Sequence, residues 1–424
     1  MFRLLPESAD ILLAARLAML PLGFASIALA GILGWQVAGR KGGAWAAVLA
    51  SVCPPFVLKT VEFRNDTLWL VLLLAVILLI LREQWFLAGL LLGVALMVSI
   101  KTAPFAVAIA IAFLVTRYGS LAPLIAGSAV VPAIVVAFFA FHGAAGEMFR
   151  WSVFANGTMA VGAGRRIAGI TIGFAVGAAS CWLAYRSSRN KPVVVNLIAI
   201  LYISVFVMIS PLIGPRDFLP SYPVGFIAVF VLLGPWTRHA AACMLVLLAV
   251  TDMRLWEPGL RYYPQIIADT IRFSSPDDAV FDQKGEMVFR HRATYIALES
   301  VSRKALAAGM LPDTIAADMV KSRAYVAVRD STRIPPASRR FLNRYFVPFG
   351  SIRVAGQSVH DGAFEIAIPG LYTIVRNGAV VVPSRRYEAG RYGAPAGAVA
   401  LWSGVIGKAA DLNLELQRPA LPAE

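Results

Sequence analysis

Glu62, Arg64 and Asp66 stand at the lip of an apolar run, in "LKTVEFRNDTLWLVLLL" (58–74). Paired carboxylates can hold a divalent cation or act as a base. A guanidinium beside them can grip a phosphate in a planar fork. The same side of the hydropathy pattern gathers Lys59, Lys101, Arg165, Arg166, Arg216 and Asp217. Ionisable groups at membrane depth are costly to keep there and mark functional sites by default. In a plain surface loop the same residues would be an ordinary polar turn with an Arg–carboxylate pair. What surrounds them decides between the two.

The surroundings are greasy. The chain is 58% hydrophobic and only 15% charged, with a mean hydropathy of +0.71. Up to about residue 256 it reads as apolar runs of roughly 16–22 residues, the length that crosses a hydrocarbon core as a helix. About ten such runs can be drawn on that length criterion: 11–37, 43–60, 67–82, 85–100, 103–117, 121–142, 167–186, 192–213, 222–236 and 239–256. Residues 257–424 have mixed polarity and read as a separate domain. The fold class expected is therefore a polytopic α-helical membrane domain over 1–256 followed by an extracytoplasmic α+β domain over 257–424.

The net charge of +15 does not point to nucleic acid, because much of the excess lies in short loops between apolar runs and no nucleic-acid-binding motif accompanies the rest. Cys53, Cys181 and Cys243 all lie in apolar runs, which argues against a disulfide framework or metal cluster. His142, His239, His291 and His360 are too dispersed in sequence to suggest a histidine-rich zinc site.

Loop charge sets an orientation. "GRKGG" (39–43), "LREQ" (81–84), "TRYGS" (116–120), "YRSSRNK" (185–191) and "TRH" (237–239) are basic and nearly free of acid, so they belong in the cytoplasm. They alternate with "KTVEFRND" (59–66), "SIKTAP" (99–104), the 143–166 segment and "GPRDFLPSYP" (214–223), which carry mixed charge and face outward. On this count the tail emerges outside, in the periplasm of a Gram-negative host. The first residues, "MFRLLPESAD", also start outside without reading as a signal peptide. That start implies either a span count wrong by one or a first helix and loop upstream of Met1.

The run from Ala15 to Pro104 resembles the membrane core of GT-C glycosyltransferases of the protein-mannosyltransferase and aminoarabinose-transferase type. The features shared are Ala15-Arg16 opening a helix, a small-residue helix after it, Arg64-Asn65-Asp66 as an "R-x-D" loop, and Ala88–Ala95 followed by Lys101. The "GPRDFLPSYP" loop resembles a further family feature, and the likeness extends over roughly residues 10–240. It implies a transferase that moves a sugar from a polyprenyl-phosphate donor to a cell-envelope acceptor, a glycan, lipid or protein, on the outer face of the bacterial inner membrane. It further implies Asp66 and Glu62 as supporting catalytic carboxylates. Arg64, Lys101, Arg165, Arg166, Arg216 and Asp217 would bind substrate, and the cofactor is unknown, a divalent cation being one option. The family's principal acidic residue lies in a large outer loop after the first helix, and no residue here matches it. A transporter or flippase of lipid-linked precursors is the alternative; its charges would lie mid-helix along a path. A degenerate, inactive relative is another.

In the tail, "DAVFDQKG" and "RAYVAVRD" read as buried strands ending in acids, and "RATYIALESVSRKALAAGM" as a helix between them. "PPASRRFLNRYF" reads as a helix with proline near its start. "FEIAIPGLYTIV", "GAVVVPS" and "AVALWSG" read as strands of a small closing sheet. No glycine-rich nucleotide motif appears, which suits a lipid-linked donor.

Overall fold

The computed structural model describes residues 6–150, 152, 163–186, 190–210, 213–251, 262–329, 331–409 and 412–417. The chain divides into two compact units, Leu13–Arg254 and a second made of Met1–Leu12 with Leu255–Glu424.

The first unit is a helix bundle. α1 (Ile11–Leu17) leads into α2 (Leu20–Val52), which is broken at Ala38 and Gly39. Gly39 takes φ +70°, a left-handed conformation that glycine adopts without steric cost. The break falls in "GRKGG", so α2 is a hairpin of two apolar arms. α3 (Pro54–Thr60) starts on a proline, and Cys53 before it is extended, as a residue preceding proline prefers. α4 (Asn65–Leu81) follows at a bend of 113°. Its sequence "LWLVLLLAVILLIL" offers no polar side chain that could compete with the helix backbone.

α5 (Trp85–Val98), α6 (Thr102–Thr116), α7 (Leu121–Phe141), α8 (Ala145–Phe149), α9 (Ala163–Arg186) and α10 (Lys191–Ile209) complete the first half of the traverse. A 3₁₀ segment (Pro215–Ser221), α11 (Tyr222–Leu233) and α12 (Thr237–Thr251) close it. α5 and α7 pack backbone to backbone through Gly89, Gly93 and Gly127. A methyl group on Gly89 would stand 2.1 Å from the Leu124 carbonyl oxygen. This is small-residue packing of the kind that joins helices in lipid.

Among the described residues five helical stretches are long and apolar enough to cross a membrane, with Ile11–Val52 and Arg216–Val250 each counted as one, or six when the bent α3–α4 pair counts as one span. Several of the remaining runs form shorter helices: α5 has 14 residues and α6 has 15. At 1.5 Å per residue they reach only about 21–23 Å, short of a ~30 Å hydrocarbon core. Leu114, Phe141, Phe174 and Leu232 are all well exposed, as lipid-facing side chains are. Buried residues concentrate in α4, where Trp69, Leu70, Leu73, Leu74 and Ile77 lie at the centre of the bundle.

The second unit is α/β. β1 (Ala279–Phe281), β2 (His291–Arg292) and β3 (Val326–Val328) are parallel in the order β2-β1-β3. β4 (Phe346–Phe349) and β5 (Ile352–Ser358) form a hairpin, and β5 continues the sheet antiparallel to β3. β6 (Ala363–Ile366) pairs apart with β9 (Gly390–Gly393). β7 (Gly370–Arg376), β8 (Ala379–Tyr387) and β10 (Val399–Trp402) extend the main sheet in the order β5-β10-β7-β8. Its helices are α13 (Tyr262–Phe273), α14 (Ser300–Ala307), α15 (Ile315–Lys321), α16 (Pro336–Tyr345) and α17 (Leu412–Gln417).

The strands expected at "DAVFDQKG" and "RAYVAVRD" form, as does the proline-led helix α16. The expected helix over "RATYIALESVSRKALAAGM" is shorter. It starts only at Ser300, because Arg292 is in β2, the Ala293 amide donates to the Val280 carbonyl of β1, and the Leu298 amide donates to the Gln283 carbonyl just beyond that strand. Residues 6–12 also belong to this unit: Ile11 packs on Ile267 and Phe289, and the Glu7 carboxylate receives Arg290 at 2.6 and 3.2 Å.

Candidate functional site

Three segments distant in sequence meet at one end of the helix bundle: the turn before α4, the turn before α6 and the 3₁₀ segment after α10. Asn65 pins the first to the end of α5, its amide donating to the Val98 carbonyl at 2.8 Å. Lys101 then joins all three. Its ammonium lies 2.8 Å from Asp66 Oδ1 and 2.8 Å from Asp217 Oδ1. Arg64 Nε closes on the other oxygen of Asp66 at 3.1 Å. The other oxygen of Asp217 caps its own 3₁₀ turn, accepting from the Gly214 amide at 2.7 Å.

The aspartates are nearly buried, their side chains 6% and 8% exposed, while Lys101 is 25% and Arg64 46% exposed. The cluster therefore opens on the cation side. Trp69 sits beneath it, with the Lys101 ammonium 5.6 Å from its ring centre. Trp69 Nε1 donates to Thr102 Oγ1 at 2.9 Å, and that hydroxyl donates onward to the Ala95 carbonyl at 2.8 Å. Tyr202, fully buried on α10, donates its hydroxyl to the Asp217 carbonyl at 2.5 Å and packs on Trp69 and Phe105. Every element that carries a charge is thus held by a buried hydrogen bond.

The sequence-chosen residues divide. Arg64, Asp66, Lys101 and Asp217 are brought together. Glu62 is not: it pairs with Lys59, three residues before it, as a separate half-exposed ion pair. Arg216 adjoins Asp217 and, among the described residues, has no ion-pair partner. Arg166 is exposed at the start of α9 and lines a groove of about 220 Å³ with Gly169, Ile172, Met208 and Ile209. The Arg165 side chain lies outside the described residues, as does much of the 143–166 segment (151 and 153–162). Sequence reasoning passed over Trp69, Thr102 and Tyr202. Their signal was a hydrogen-bonding side chain inside an apolar helix, which must find a partner there.

A resident divalent cation does not suit this geometry. The two converging carboxylates are already bridged by an ammonium, and among the described residues no three His, Cys, Asp or Glu side chains gather.

No family model matches the chain, and no curated protein matches it. A solved structure does: that of ArnT from Cupriavidus metallidurans bound to undecaprenyl phosphate. It superposes with a TM-score of 0.52 over 80% of this chain and 83% of that one, at 15% sequence identity. The chain has the fold of ArnT. The likeness is one of architecture, a polytopic helical membrane bundle with a C-terminal α/β region.

Proposed function

We propose that this protein is a membrane glycosyltransferase that moves a sugar from a polyprenyl-phosphate donor to a cell-envelope acceptor on the outer face of the bacterial inner membrane. The observation that carries the reading is the charged cluster at the ends of α4, α6 and the 3₁₀ segment, in a chain with the fold of a protein that binds undecaprenyl phosphate. In such a transfer a carboxylate takes the acceptor hydroxyl's proton. The acceptor oxygen then bonds to the anomeric carbon as the carbon–oxygen bond to phosphate breaks, and the polyprenyl phosphate leaves with the electron pair.

The charge count assigns roles. Arg64 and Lys101 bring two positive charges, and Asp66 and Asp217 bring two negative, so the cluster is neutral by itself. An ammonium has three donors, two of them spent on the aspartates, which leaves Lys101 one for a phosphate oxygen. Arg216 supplies the surplus positive charge that a departing phosphate needs. Both oxygens of Asp66 are engaged, so Asp66 supports the site by holding its cations; the proton-accepting base lies elsewhere. Glu62, tied to Lys59, is the more remote support.

The transporter reading is less well supported, because the charged groups sit at element ends rather than along a mid-helix path. The outward placement of the site and tail follows the basic-loop alternation, and a C-terminal alkaline phosphatase fusion reports it. The deciding test is transfer itself, with the full-length protein in liposomes and a labelled polyprenyl-phosphate sugar. Asp66→Asn should reduce transfer without loss of membrane insertion, and Glu62→Gln should lower it less. Transfer at the wild-type rate by both variants would return the cluster to an ordinary turn.

A further inference from the structure

A second binding surface lies on the α2 hairpin, on the face between its two arms. The arms approach unusually closely because glycines meet at the crossing. A methyl group on Gly34 would stand 2.8 Å from the Gly42 carbonyl oxygen, and one on Gly43 would stand 2.7 Å from that of Gly31. Helices this close leave a valley rather than an interdigitated seam. The valley is floored by Ala28, Gly31 and Ala44, walled by Ile32 and Trp35, and reaches Arg40 at the turn. Its volume is about 420 Å³, inside the ~300–1,000 Å³ range of small-molecule sites.

Its chemistry runs from apolar to cationic along its length. Ala28 and Ala44 are exposed on the floor, Trp35 is 57% exposed, and Arg40 and Lys41 project at the turn. Among the described residues neither Arg40 nor Lys41 has an ion-pair partner, and "GRKGG" contains no acid. Tryptophan and arginine at the end of an apolar helix belong at headgroup depth.

We propose that this valley binds one phospholipid with an anionic headgroup, an acyl chain lying over Ala28 and Ala44 and the phosphate meeting Arg40, with the exposed Lys41 next to it in the turn adding to the local positive charge. Charge complementarity decides the occupant. A second copy of this chain would bring the same two cations face to face, and a zwitterionic lipid, whose headgroup ammonium offsets its phosphate, would gain less from them. The surface is separate from the Lys101 cluster and does not depend on the transferase reading.

The test is lipid retention by the full-length protein, purified in detergent, offered phosphatidylglycerol or phosphatidylcholine of matched chains, and read by native mass spectrometry. The wild type should retain one phosphatidylglycerol in preference to phosphatidylcholine. Arg40→Gln should lower that retention about fivefold, the weight of one basic group at a lipid surface. Ala44→Leu fills the floor from an exposed position and should reduce both lipids. Equal retention of the two lipids by the wild type, or retention unchanged in both variants, would overturn the proposal. So would disulfide crosslinking between copies through Ala28→Cys, which would give the valley to a second chain.

Discussion

Two cations, one in each unit of the molecule, show how a charge that builds differs from a charge that can act. Arg290 is 1% exposed and saturated. Its Nε donates to Ser274 Oγ, and its two terminal nitrogens meet both oxygens of Glu7 and the carbonyls of Phe289, Ile271 and Ser274. No donor is left for a ligand, so this arginine joins the segment before the first helix to α13 and does nothing else. Lys101 also bridges distant segments, but it is a quarter exposed and keeps one donor in reserve. Beside it stands the half-exposed Arg64, and Arg216 adjoins Asp217 with no ion-pair partner among the described residues. Burial with saturation makes a joint; burial of the acids with exposure of the cations makes a site.

Replacing each cation is the sharpest way to break that contrast. Lys101→Met leaves Asp66 and Asp217 facing each other without the shared counter-ion and removes a donor from the phosphate. We expect transfer to fall at least about a hundredfold, the loss typical of one preorganised electrostatic group, while the protein still inserts. Lys101→Arg should recover part of the rate. A wild-type rate in Lys101→Met would make this lysine a joint like Arg290.

Arg290→Ala should do the reverse. Removing one partner of a buried pair costs about 3 kcal/mol here, the low end of the usual range because Glu7 is a third exposed. The loss should appear as a lower urea midpoint for unfolding of the tail in the full-length protein. The transfer rate per folded molecule should stay near wild type.

This contrast was only partly legible in the sequence. Asp66, Arg64 and Lys101 stood out because charge at the lip of an apolar run is expensive. Asp217 was readable from its loop, but its union with Lys101 was not, since 116 positions separate them and only packing closes that distance. Glu62 looked equivalent to Asp66; a lysine one helical turn earlier claimed it. In the tail the proline of α16 and the apolar strands were plain. The β4–β5 hairpin was missed, although Gly350 at φ +57° marks its turn. So was the Asn377-Gly378 turn between β7 and β8, a two-residue pair with positive φ at both positions that signals a tight hairpin. The Glu7–Arg290 pair carried no local signal, because its two members are 283 residues apart.

Arg216 sharpens the comparison from the substrate side. If the neutral cluster leaves it as the surplus cation, Arg216→Ala should raise the KM for the lipid donor about tenfold. That is the scale of one charge-assisted hydrogen bond, and the KM for the acceptor should change little. Steady-state kinetics with each substrate varied in turn would read this. Equal effects on both KM values would assign Arg216 to a general structural role.

The smallest expected effect lies in the tail, where a carboxylate rather than a cation is the uncomfortable group. Burial raises the Glu286 carboxyl above its ordinary value of 4.5; hydrogen bonding to the Lys284 amide opposes the rise and the neighbouring Asp282 adds to it. The folded tail therefore keeps a proton on Glu286 at pH values where the unfolded chain has already released it. Wherever the folded state binds more protons, stability falls as pH rises. Stability from this group is full below the ordinary value and declines as pH climbs from there through the raised one. Its weight is small, one group among 24 acidic residues, so it should appear as a shallow slope in the urea midpoint of the full-length protein. Glu286→Gln keeps an oxygen to accept from the Gln283 and Lys284 amides and cannot titrate, so it should flatten that slope. A slope of the same size in the variant would place the titrating group elsewhere in the tail.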